Sequence, residues 1–130
     1  MKRIPWLPLI PAIVAIGFNS YVRYGSNRVP MDITLAGFIL WSWAPYLIAL
    51  LCLKAKFHPI IVFSAITFAL SQDLLYFHQI HLGLRGDTAA FGVLLFRPCF
   101  NLLVFMPIAA ICAWPFAILI KIRTKDADMA

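Results

Sequence analysis

Charge is scarce in this chain. Only 12% of the 130 residues are charged, and only five are acidic, whereas 63% are hydrophobic. A water-soluble domain carries about a quarter charged residues and roughly half apolar ones. The shortfall excludes a soluble globular domain and a disordered tail. Cysteine is also sparse. Cys52, Cys99 and Cys112 form no CxxC pair and are too few for a disulfide-rich secreted module. Catalytic signatures are missing: the chain has no HExxH, GxSxG, Walker loop or GxGxxG. No repeat relates its two halves, so an inverted-repeat transporter within one chain finds no support. GxxxG is absent as well, which leaves Ala109, Ala110 and Ala113 as candidates for close helix contact.

What the chain does have is apolar length. Mean hydropathy is +0.90. Residues 4–22, 33–53, 57–72 and 98–120 carry no charge, and the third run stays apolar past Asp73 to Ile80. Each supplies the roughly 20 residues needed to cross a ~30 Å hydrocarbon core. Lipid offers no partner for an unpaired backbone group, so these runs are expected to be helices. The expected fold is an all-α membrane protein: a four-transmembrane-helix bundle in a single integral membrane domain over 1–130. Its spans are placed at about 4–22, 33–53, 59–80 and 98–120.

A feature precedes the last span. From Thr88 to Ile120 only Arg97 is charged, and that length gives roughly 50 Å of helix, too much for one ordinary span. Proline disfavours helical geometry in the residue before it, which makes Arg97-Pro98 the expected break. Asp87 or Thr88 can cap a short interfacial or re-entrant helix over about 88–96. One long, kinked helix is the alternative.

Net charge is +6. The basic residues flank the apolar runs, which reads as topogenic charge and not as a nucleic-acid surface. Lys2, Arg3, Lys54, Lys56, Lys121, Arg123 and Lys125 share one side of a four-span layout; Arg23, Arg28, Arg85 and Arg97 fall on the other. Positive charge concentrates on the cytoplasmic side, so both termini are expected there. Met1-Lys2-Arg3 and the small residues near Ala15 could mark a signal peptide. Pro5, Pro8 and Pro11 argue against that reading, and the first segment is expected to remain.

Depth along each span singles out the polar residues. Asp73 lies about seven residues, or ~10 Å, below the outer end of its span. Gln72 adjoins it, Asn19 and Asn101 lie near the outer ends of the first and fourth spans, and Arg97 stands at the mouth. A carboxylate in a span is costly and normally finds a partner in the bundle interior. Arg97 is the expected partner, by a bidentate grip, with Asn19 and Asn101 adding hydrogen bonds between helices. The cluster Asn19, Gln72, Asp73, Arg97 and Asn101 is either a clasp that sets helix register or a ligand or ion site.

Weaker candidates follow. His78 and His81 are three residues apart on one helical face, the beginning of a metal site, but a zinc site usually needs three protein ligands. They are expected to be interfacial histidines, with no metal and no cofactor bound. Trp41 and Trp43 sit near mid-span, where they could line a pocket or fill the gap at a Pro45 kink. Their expected role is packing or lipid contact. The three cysteines are expected as buried thiols, because depth separates Cys99 from both Cys52 and Cys112 beyond disulfide reach.

Size and layout resemble small bacterial inner-membrane proteins, immunity proteins against pore-forming toxins among them, although no motif carries the likeness. The expected role is a non-catalytic interaction protein, either an accessory subunit or an immunity-type inhibitor of an inserted toxin. Its partners would be the lipid bilayer and another membrane protein or a second copy of itself, with no nucleic acid. A small homo-oligomeric transporter or channel, with Asp73 and Arg97 along the path, is the alternative.

Overall fold

The protein is described here by a computed structural model that covers residues 6–26, 33–81 and 96–129, with side chains over 6–22, 36–79 and 96–123. All regular structure among these residues is helical. Helix α1 spans Leu9–Ser26, α2 spans Ile33–Lys54 and α3 spans Pro59–His81. Residues 96–100 are helical and run through a π-helical turn, Asn101–Phe105, into α4, Met106–Met129.

Three stretches are long and apolar enough to cross a bilayer: Ala36–Lys54, Pro59–Gln79 and Phe96–Arg123. The apolar part of α1, Leu9–Val22, is shorter. At 1.5 Å per residue it covers only ~21 Å. The proline-rich start accounts for this. Residues 6–8 form a turn, and Ala12 N–H donates to the Pro8 carbonyl at 3.3 Å as the helix begins. Helix α1 therefore starts later than the span expected over 4–22, and residues 1–5 lie outside the described residues.

The short helix expected over 88–96 also lies outside them, apart from Phe96. No turn separates Arg97 from Pro98, since both are helical. Proline biases its predecessor away from helix without forbidding it, and Arg97 is held by contacts given below. The irregularity comes four residues later. Pro107 has no N–H to donate, and its ring would crowd the carbonyl of Leu103 in a regular α-turn. The π turn just before it inserts one extra residue, with Met106 N–H donating to the Asn101 carbonyl.

The α2–α3 connection is tight. Phe57 N–H donates to the Cys52 carbonyl and Lys56 N–H to that of Leu53, both at 3.2 Å, which closes α2 as a Schellman motif. His58 then starts α3. Its carbonyl accepts from Ile61 N–H at 2.9 Å and its Nδ1 from Ile60 N–H at 3.3 Å, with Pro59 at the first helical position.

Helix α3 is the hub, packing against α1, α2 and α4. Its inward stripe of Val62, Ala65, Ile66 and Ala69 meets Ala12 and Ala15 of α1, Tyr46 and Ala49 of α2, and Met106 near the start of α4. Ala113 and Ala117 of α4 pack on Ile61. Small residues let backbones approach closely where lipid supplies no hydrophobic drive between helices. Ala109 and Ala113 are buried in that seam, as their spacing suggests. The large side chains point the other way: Ile13, Leu51, Leu103, Ile111, Phe116 and Leu119 are all exposed. An outward apolar surface over a core of alanines suits lipid as the solvent. The thiols are free, but not all buried as expected. Cys52 and Cys99 are half-buried, and Cys112 is exposed beside the groove between α3 and α4.

Candidate functional site

Each inward stripe ends in a polar residue near one end of the bundle. On α1, Ala12 and Ala15 lead to Asn19; on α3, Ala65 and Ala69 lead to Asp73. On the last helix, Asn101 precedes Met106 and Ala109, and all three are buried. The π turn makes the last alignment work. A regular helix would bring residue 105 beneath Asn101, whereas the extra residue lets Asn101 and Met106 share the inward face.

Asp73 is 6% exposed, and its carboxylate draws donors from every other helix. Arg97 Nε donates to Oδ1 at 2.9 Å. Asn101 Nδ2 lies 3.1 Å from Oδ1 and 3.0 Å from Oδ2. Asn19 Nδ2 donates to Oδ2 at 3.2 Å, and the Tyr46 hydroxyl donates to the same oxygen. Asn101 Nδ2 is also 3.3 Å from the Tyr46 oxygen, and Asn19 Nδ2 is 3.0 Å from the Ala15 carbonyl. An ionised carboxylate offers about four lone-pair directions, and four side chains fill them. The Asn101 amide can sit only one way round, because turning it would set Oδ1 against the carboxylate. In this orientation Oδ1 is buried without a hydrogen-bond partner among the described residues.

Arg97 is held on three sides. Its guanidinium carbon is 5.2 Å from the Tyr76 ring centroid and 4.8 Å from that of Phe105, within cation–π range. The bidentate grip expected on Asp73 is not what forms. Arg97 bonds the carboxylate through Nε alone, because the Asn101 amide straddles both oxygens. One turn beyond Asp73 on α3, Phe77 meets Phe18 of α1 edge to face, with centroids 5.6 Å apart.

Of the residues singled out from sequence, Asn19, Asp73, Arg97 and Asn101 come together. Gln72 does not join them. It is half-buried next to Asp73, but successive helical residues point 100° apart, and no hydrogen bond links it to the cluster among the described residues. Tyr46 belongs to the cluster and was not singled out. Measured from the α2–α3 turn, it lies about six residues below Asp73, roughly 9 Å along the axis. Helical side chains lean toward the N-terminus, and these neighbours run in opposite directions, so the two lean toward each other and close the gap. The sequence did carry a cue, since a buried tyrosine hydroxyl needs a polar partner.

The tryptophans separate. Two residues apart on a helix, they face opposite ways. Trp43 is half-buried and its Nε1 donates to Ser20 Oγ of α1 at 2.9 Å, while that hydroxyl donates to the Ile16 carbonyl at 2.7 Å. Trp41 is 45% exposed, on the outward side of α2. Facing opposite ways, they form no shared aromatic wall. His78 is exposed, the His81 side chain lies outside the described residues, and no group of three metal-ligating side chains occurs among those described.

Among the described residues the architecture is all-helical, with three helices able by length and composition to span a membrane, compatible with an integral membrane protein. No known family matches the sequence, and neither a curated protein nor a solved structure proved similar to it.

Proposed function

We propose that this is a non-catalytic membrane interaction protein that docks against another membrane protein, as an accessory subunit or an immunity-type inhibitor of an inserted toxin. One observation carries the reading: the Asp73 carboxylate is saturated by side chains of its own chain. A transport or catalytic carboxylate needs a direction left open for its cargo or proton. Here the polar core works as a clasp that fixes the register of four helices, and the outward helix faces are what remains for recognition. In this reading α1 crosses the membrane as a fourth, shorter span, the basic ends face the cytoplasm and the membrane is a bacterial inner membrane.

The test combines cross-linking with flux. A photoreactive residue placed at Ile111 or Leu119, both outward on α4, should give one discrete adduct with a different protein in native membranes. The purified protein in liposomes should conduct no ions or small solutes. Adducts with further copies of this chain, together with a flux lost in Asp73→Asn, would instead establish the homo-oligomeric transporter.

A further inference from the structure

A second site lies at the opposite end of the bundle, where α2 turns into α3 and α4 passes alongside. A groove of about 360 Å³ is lined there by Lys56, Phe57, His58, Trp114, Ile118 and Lys121, among others. Its composition is divided. Two lysines line it, while Ile61, Ala117 and Ile118 make an apolar wall beside them. Trp114 is 54% exposed beside them, as a tryptophan at the headgroup level would be.

The backbone supplies an independent observation. Lys56 has φ of 66°, and it is the non-glycine residue with positive φ among those described. It fills the left-handed position of the Schellman cap, where glycine carries no Cβ penalty and is the usual choice. A strained residue persists where its side chain has work to do. Glycine would close this helix more cheaply, but it could not bring an ammonium group to the groove.

We propose that this groove is a binding site for one anionic phospholipid. Lys56 and Lys121 hold its phosphate, and an acyl chain runs along Ile61, Ala117 and Ile118, flanked by Trp114. Charge complementarity selects the occupant. A zwitterionic headgroup brings its own cation to the two lysines, and a soluble anion has no use for the apolar wall. Basic pockets between helices at a membrane face recognise anionic headgroups in this way. The assignment is independent of the role proposed above, because it concerns the other end of the bundle and a lipid instead of a protein.

Native mass spectrometry of the full chain, released from nanodiscs, tests it. Nanodiscs with equal phosphatidylglycerol and phosphatidylcholine should yield a single retained phosphatidylglycerol. Lys56→Gln and Lys121→Gln should each weaken retention about fivefold, while Lys54→Gln, exposed and outside the groove, should leave it unchanged. Lys56→Gly separates binding from folding, since it should raise thermal stability and still weaken lipid retention about fivefold. Equal retention of phosphatidylcholine would overturn the proposal. So would undiminished retention in the Lys56→Gln/Lys121→Gln double variant, or thermal protection by inorganic phosphate equal to that by phosphatidylglycerol.

Discussion

Asn101 straddles the carboxylate of Asp73, its amide nitrogen 3.1 Å from one oxygen and 3.0 Å from the other. That placement depends on the π turn that begins at Asn101 itself. It also determines how Arg97 approaches, through one nitrogen instead of two. The charge pair is thus one part of a five-residue assembly, and substitutions should behave accordingly.

Asp73→Ala should be the most damaging single change in the cluster. It leaves the Arg97 guanidinium without its carboxylate and takes the shared acceptor from Asn19, Tyr46 and Asn101. Removing one partner of a buried pair costs about 3–5 kcal/mol. Equilibrium unfolding in mixed micelles, followed by circular dichroism, measures this, and a loss below ~1 kcal/mol would contradict the saturated geometry.

Exchanging the charges should fail to rescue. In Asp73→Arg with Arg97→Asp, the new guanidinium would face Asn19, Tyr46 and Asn101, whose donors are all set for an acceptor. Expression and unfolding of the double variant should be no better than those of Asp73→Arg alone. For an isolated ion pair, recovery would be the expected result, so this comparison distinguishes a pair from a network.

Tyr46→Phe removes one hydroxyl and nothing else. The expected cost is about 1–2 kcal/mol, because the bond goes to a charged group but lies in a membrane bundle. A double-mutant cycle with Asp73→Asn should return most of that as coupling. Additive effects would mean that the hydroxyl contributes independently of the Asp73 carboxylate.

The two tryptophans should respond differently. Trp43→Phe loses the hydrogen bond to Ser20 and should cost about 0.5–1.5 kcal/mol. Trp41→Leu, on the exposed face, should cost less than Trp43→Phe. The same unfolding assay compares them, and equal losses would refute the assignment of opposite faces.

Lys56→Gly should stabilise the isolated protein by about 1 kcal/mol, the relief of a left-handed backbone at a residue with a Cβ. The melting temperature in detergent reads it directly. A lower melting temperature would mean that contacts of the lysine side chain outweigh its backbone strain.

Much of this was legible in the chain itself. The apolar runs predicted α2 and α3 closely, because hydropathy and length report directly on what a bilayer accepts, whereas the last helix runs on past 120 to Met129. Asp73 and Arg97 stood out because intramembrane charge demands a partner, and counting residues from the span ends put Asn19 and Asn101 at the same level. Depth has no angular component, however. It could not separate Asp73 from Gln72, which share a level but point 100° apart. It also missed Tyr46, whose Cα lies well below the carboxylate its hydroxyl reaches.

By itself, the sequence determined that the helices are apolar and long enough for a bilayer, the helical class and the end of the bundle where polar groups gather. All three follow from local composition acting against lipid. The tertiary structure decided which helix is central, which face of each helix turns inward and how Asp73 is shared among four donors. Those outcomes rest on rotations of one residue and separations of a few ångströms between distant segments. The π turn at Asn101–Phe105 decides one of them by shifting the register of a whole helix through a single added residue.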